Sequence, residues 1–143
     1  MKIRIGFAPG SGLLELGGQD PIRRVVHMAN RYGYDSLWLS DTVIGIKSTI
    51  DPIVALSMIA TYSDKLKFGT SVLGLSLRNP IILAKELATL DYLSNGRLLP
   101  AVGLGEQSQT PRHNHEFRRI HWGKRADEAI EIIRNLWENE QVS

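Results

Sequence analysis

Three Asx-Pro pairs, Asp20-Pro21, Asp51-Pro52 and Asn79-Pro80, punctuate this chain, and each lies between two apolar runs. Asp or Asn at an N-cap accepts a hydrogen bond from first-turn amides, and a proline beside it loses no helical bond and has φ preset. Each pair therefore marks a helix start. The apolar runs begin near Ile3, Ser36, Lys67 and Leu98, which are 33, 31 and 31 residues apart. That spacing holds one strand and one crossover helix, as consecutive parallel strands require. The clearest unit is Leu66–Glu106. It reads as a buried strand over Leu66–Val72, a helix over Pro80–Leu93, an Asn95-Gly96 stop and a strand over Arg97–Val102 that opens into Gly103-Leu104-Gly105-Glu106. The first helix is expected to close at Gly33, where glycine takes the left-handed conformation easily. A fourth helix, about Gly123 to Trp137, repeats apolar Ala126, Ala129, Ile130, Ile133, Leu136 and Trp137 at helical spacing. Lys124/Glu128 and Arg134/Glu138 are opposite charges four apart on its outer surface.

Four βα units are half of a (β/α)8 barrel, a fold of about 250 residues. The expected fold class is therefore α/β of the TIM-barrel type, present as a half barrel. Its strands should run in the order 1-2-3-4, with all helices on the convex side. Residues 1–143 read as a single domain, without linker or low-complexity tract. The polar tail Asn139–Ser143 follows a helix directly, so the expectation is an N-terminal half of a longer barrel with two open sheet edges.

Composition narrows the function classes. Hydrophobic residues at 43% and charged residues at 22% describe an ordinary globular domain. A net charge of +2 is too small to imply nucleic acid. The absence of cysteine removes disulfides, thiol nucleophiles and thiolate metal sites. The apolar run before Pro9 is too short for a signal peptide, and no run approaches the roughly 20 residues of a membrane span. A cytoplasmic protein is expected.

Chemistry-bearing groups fall at the strand ends. The second strand, Ser36–Ser40, delivers Asp41 and Thr42; the third delivers Thr70 and Ser71; the fourth delivers Glu106. In parallel α/β folds, ligands and catalytic groups gather at that rim. Two carboxylates and three hydroxyls there suit the polar edge of a ring-shaped ligand. Asp41 has a second reading, as an Asx-turn cap of the following loop. Gly103 and Gly105 lack the third glycine of a dinucleotide fingerprint. They either let the backbone pass close beneath a planar ligand or form a plain strand-exit turn. The loop Pro111–Lys124 carries Arg112, His113, His115, Arg118, Arg119, His121 and Lys124, a solvated basic loop or an anion subsite. Nothing fixes His113, His115 and Glu116 in a metal-binding geometry, so no metal is expected. His27 falls inside the first helix and reads as a packed or surface histidine.

Four segments in order, IGFAPG, GYDSLWLSDT, LKFGTSVLGLSLRNPIILAKELATLDYLSNGRLLPAVGLGE and GKRADEAIEIIRNLW, resemble the N-terminal half of the luciferase-like monooxygenase superfamily. These are bacterial-luciferase-type (β/α)8 barrels that bind FMN or the deazaflavin coenzyme F-420 at the barrel mouth. The resemblance implies a flavin- or deazaflavin-dependent oxidoreductase acting on a small organic molecule, by hydride transfer or oxygen activation. GTSV at Gly69–Val72 and GLGE at Gly103–Glu106 are similar to the deazaflavin branch, so F-420 is the expected cofactor and FMN the alternative. By the same resemblance Ser71–Val72 would form a bulge with a non-proline cis peptide behind the ring. Gln109 falls where an Asn contacts the ring. The implied catalytic residues are Glu106 and Asp41. The implied cofactor contacts are Asp41, Thr42, Thr70, Ser71, Val72, Gly103, Gly105 and Gln109. The family's second strand ends Ser-Asp-His, whereas this chain has Ser40-Asp41-Thr42, and threonine does not titrate near neutrality. The family's phosphate-binding groups lie largely in its second half. The competing expectation is a non-catalytic half barrel that binds or dimerises. In either case the open edges imply a homo-oligomer, most simply a dimer.

Overall fold

The computed structural model describes residues 3–10, 20–43, 49–105 and 121–138. Four strands and four α-helices alternate within them: β1 (Gly6–Phe7), α1 (Pro21–Arg31), β2 (Ser36–Leu39), α2 (Pro52–Tyr62), β3 (Lys67–Gly74), α3 (Pro80–Leu93), β4 (Leu98–Gly103) and α4 (Trp122–Glu138). A 3-10 turn, Leu75–Leu77, joins β3 to α3. The strands are all parallel and lie in the order β1-β2-β3-β4, in register at Gly6↔Ser36, Leu37↔Phe68 and Phe68↔Leu98. This is the predicted half-barrel topology.

The helix starts follow from the Asx-Pro pairs. Asp20 accepts from the Arg23 amide at 2.9 Å, Asp51 from Ile53 and Val54 at 2.9 and 3.2 Å, and Asn79 from Ile81 and Ile82 at 3.0 and 3.2 Å. Each cap stabilises its helix by about 1 kcal/mol. Gly33, at φ +74°, ends the first helical unit, and Asn95 and Gly96, at φ 57° and 71°, end the third. Two of the strand starts that differ from expectation have local causes. Both backbone groups of Ile5 are bonded to Asp35, its amide to the carboxylate at 2.9 Å and its carbonyl to the Asp35 amide at 2.8 Å. Pairing with β2 proper therefore begins only at Gly6. The Arg97 carbonyl already accepts from the Phe68 amide, and the β4 ladder starts one residue later.

Helices α1, α2, α3 and α4 pack in sequence as one layer against one face of the sheet. Their inward residues, among them Val25, Val26, Leu56, Ile59, Leu83, Leu87, Ala129 and Ile133, bury Leu37, Leu39, Phe68 and Leu73 of the strands. On α4, Ile130 and Trp137 stay about half exposed, although their spacing predicts burial. Trp137 instead anchors by its indole N–H, which donates to the Ala84 carbonyl at 3.0 Å. The Arg134–Glu138 pair forms at 3.4 Å on the exposed side, where it contributes little.

Arg97, just before β4, gathers the opposite end of the sheet. Its guanidinium donates to the carbonyls of Ala60, Ser63, Leu66 and Ser94 and lies over the Phe68 ring at 5.2 Å. The end of α2 is thereby tied to the starts of β3 and β4. In barrels this N-terminal rim serves stability, and the C-terminal rim carries function.

Candidate functional site

The face of the sheet away from the helices is shaped by glycine. A Cβ on Gly6 would stand 2.6 Å from the Trp38 indole nitrogen, and one on Gly69 would stand 1.9 Å from the Leu99 carbonyl oxygen and 3.0 Å from the Trp38 ring. Trp38 therefore lies across glycine gaps on both neighbouring strands, with its N–H donating to Ser36 Oγ at 2.9 Å.

Further along this face, β3 changes register. Thr70 pairs with Pro100, but Leu73 pairs with Val102, so β3 carries one extra residue between them. The extra length sits at Ser71 and Val72, whose peptide bond is cis as the resemblance implied. A bulge leaves ladder groups unpaired. The Thr70 hydroxyl answers by donating to the Ala101 carbonyl at 2.8 Å. Ser71 and Val72 are turned outward, and Val72 is 46% exposed. The Val72 side chain also explains Gly103, where a Cβ would meet it at 2.9 Å.

Asp41, at the end of β2, has a side chain only 2% exposed. Its two oxygens accept from Arg78 Nε and Nη2 at 3.1 and 3.0 Å, and one of them also accepts from the Gly74 amide at 3.1 Å. Arg78 reaches on to Asp51, the N-cap of α2, at 2.9 Å. Burial opposes the charge of Asp51. Hydrogen bonds from Arg78 and from the Val54 and Ile53 amides outweigh it and hold the carboxyl below its usual range. The Arg78 guanidinium is likewise opposed by burial, but its two carboxylates hold its proton more tightly than usual. Gly74 then meets the exit of β4. A Cβ there would lie 3.1 Å from Gly105 Cα, and Gly105 itself has φ +94°. The 3-10 turn closes the circuit, since Ser76 Oγ donates to the Trp122 carbonyl at 2.9 Å. The exits of β2, β3 and β4 and the starts of α2 and α4 are thus in continuous contact.

The expected site residues divide accordingly. Ser71, Val72, Gly103 and Gly105 meet at one rim. Thr42 lies beside it, with its carbonyl accepting from the Thr49 hydroxyl at 2.8 Å. Asp41 and Thr70 belong to the same rim but face inward: the Asp41 carboxylate is engaged by Arg78 and Gly74, and the fully buried Thr70 by Ala101. The glycines at 103 and 105 are required by Val72 and by the approach of Gly74 to Gly105, a tighter turn than either sequence reading described. Glu106 and Gln109 lie outside the described residues, as does most of the Pro111–Lys124 loop. Arg78 was missed by sequence reasoning. Its signal was a lone arginine between a strand end and the Asn79 cap, facing a carboxylate at the neighbouring strand end.

Among the described residues every buried side-chain polar atom has a hydrogen-bond partner, and no group of three His, Asp or Glu could hold a metal. What the rim offers a ligand is therefore an apolar ledge at Val72, the exposed Ser71 and side-chain-free backbone at Gly103 and Gly105. A flat ring fits that set. A separate groove of about 710 Å³ lies between α1 and α2, bordered by Arg23, His27 and Tyr62, on the helical side of the sheet. His27 is exposed there.

Residues 4–143 match the family model described as luciferase-like monooxygenase. The F420-dependent glucose-6-phosphate dehydrogenase of Amycolatopsis mediterranei is 29% identical over 154 residues, covering 99% of this chain and 44% of that protein. The protein of the same name from Kineococcus radiotolerans is 32% identical over 127 residues, covering 80% and 36%. The chain thus spans less than half the length of these relatives. Among solved structures, the oxygenating constituent of 3,6-diketocamphane monooxygenase from Pseudomonas putida, in complex with FMN, superposes with a TM-score of 0.82 at 20% identity. That match covers 98% of this chain and 40% of that one, and it is a likeness of fold.

Proposed function

Because the chain belongs to the luciferase-like monooxygenase family, we propose that it contributes the ring-binding half of an oxidoreductase site that uses coenzyme F-420, with FMN as the alternative. The observation that carries this reading is the outward step of β3 at Ser71–Val72. It stands beside the bare backbone of Gly103 and Gly105 at the C-terminal strand ends, in a chain whose relatives are named F420-dependent. When bound, the deazaflavin supplies hydride transfer, and FMN would add oxygen activation.

The residues take distinct parts. Val72 supports one face of the ring, and Ser71 and Thr42 offer polar contacts at its edge. Gly103 and Gly105 keep side chains out of the ring's plane. Thr70 and Asp41 act from behind this surface by holding the Ala101 carbonyl and the Gly74 amide. Glu106, next after Gly105, is proposed as the carboxylate that faces substrate and moves a proton, and Gln109 as a further ring contact. The substrate is a small organic molecule, and the proposed location is the cytoplasm. No helix among the described residues is long and apolar enough to cross a membrane.

We also propose a homodimer formed through α2 and α3. Helix α2, PIVALSMIATY, has no charged residue, and Val54, Ile81 and Ile82 are exposed on the outer faces of the two helices. A helix with no charged side chain and an apolar residue on its outer face is normally covered.

A second reading, a non-catalytic half barrel that only binds or dimerises, is favoured by the internal commitment of Asp41 and Thr70. Fluorescence titration of the protein with F-420 and with FMN, followed by assay for turnover of bound coenzyme, separates the two. Saturable binding with tighter affinity for F-420, and turnover, is expected. Binding without turnover supports the second reading, and saturation with neither coenzyme contradicts the first.

A further inference from the structure

We infer that Arg78 is a positioning residue of this site, acting through Asp41 to fix the path by which β3 leaves the sheet. The inference rests on the proposed flavin-binding reading for its functional consequence, and on geometry for its mechanism. Arg78 comes from the segment between β3 and α3 and reaches back across two neighbouring units. Its Nε and Nη2 grip Asp41 with two hydrogen bonds, and the same Nη2 also donates to Asp51. Asp41 in turn holds the Gly74 amide, and Gly74 packs on Gly105. The Ser71–Val72 step is therefore held from its C-terminal side by a chain of contacts that passes through one cation.

Charge arithmetic shows why the cation matters. Among the described residues, the charged groups that meet Asp41 are Arg78 from the segment after β3 and, beyond it, Asp51 at the start of α2. Without Arg78, a carboxylate with a 2% exposed side chain would face a second carboxylate with no counter-ion. A buried carboxyl without a cation favours its neutral form, and a nearby like charge adds to that preference. Its folded pKa then lies above its unfolded one. Such a group supports the fold below the unfolded value and withdraws that support as pH rises through the folded value. Relative to the wild type, the variant should therefore lose stability as pH rises above the ordinary carboxylate range. A side chain that merely fills space would not produce this profile.

The test compares wild type, Arg78→Met, Arg78→Lys and the double variant Arg78→Met/Asp41→Asn. Each is measured for F-420 affinity and for urea denaturation midpoint from pH 5 to pH 8. Arg78→Met should weaken F-420 binding by about 10- to 100-fold, with a midpoint that falls as pH rises. Arg78→Lys keeps the charge without the fork and should lie between. The double variant removes the buried charge but keeps an oxygen for the Gly74 amide. It should restore the wild-type pH profile and recover most of the affinity. An Arg78→Met variant with a wild-type pH profile, or a double variant no better than Arg78→Met in either readout, overturns the inference. If the wild type binds no flavin, the proposed function fails, while the denaturation profiles still decide the role of Arg78. Should Arg78→Met not fold, the profiles of Arg78→Lys and the double variant decide it.

Discussion

At the scale of single residues, this site is built as much by absent side chains as by present ones. Gly69 is the sharpest case: the Leu99 carbonyl oxygen occupies the place of any Cβ, and backbone cannot yield as a side-chain tip does. Gly69→Ala should cost about 3 kcal/mol, read as a drop in the urea midpoint with an unchanged slope. A midpoint within error of wild type would mean that β3 and β4 sit farther apart than described. Asp51 makes a different prediction. Its carboxyl is held below its usual value, so its contribution is fully present above about pH 4 and is lost as pH falls through the lower folded value. Asp20 adds in the same direction, because the Tyr62 hydroxyl, at 2.6 Å, and the Arg23 amide stabilise its charged form. The midpoint of the wild type should therefore fall steeply below pH 4, and that fall should shrink in Asp51→Asn. Equal acid sensitivity in both proteins would remove Asp51 from the account.

At the scale of elements, the chain announces its helices better than its site. The Asx-Pro pairs specify helix starts because the cap and the proline act within four residues, with no help from the rest of the fold. Spacing and apolar runs then leave a parallel sheet as the arrangement that buries them. Asp41 shows the limit. Its position at a strand end was legible, but its partner lies 37 residues away at Arg78, and nothing local pairs them. Thr70 likewise looks like a rim hydroxyl until the bulge exposes the Ala101 carbonyl that needs it. Arg97 was read only as the first residue of a strand, yet it holds four carbonyls from three segments. Arg97→Met keeps the aliphatic stem and removes those donors. It should lower stability by about 3 kcal/mol and leave coenzyme affinity within about twofold, because the N-terminal rim does not touch the ligand. A variant as stable as wild type would show those carbonyls satisfied by water.

At the scale of the whole molecule, the described residues leave apolar surface open: Ile3 and Ile5 at the β1 edge, and Val54, Ile81 and Ile82 on α2 and α3. The proposed dimer would cover the helical part of it. Ile82→Glu should weaken self-association at least about tenfold in sedimentation across a concentration series, and an unchanged distribution would place the contact elsewhere. The site makes the larger claim, that a planar ring rests where β3 steps outward between the exits of β2 and β4. Amide chemical shifts of the labelled protein, followed as F-420 is added to saturation, test that directly. The largest changes should fall on Ser71–Gly74 and Gly103–Gly105. Changes centred instead on Arg23, His27 and Tyr62 in the groove between α1 and α2, or no changes at all, would contradict it.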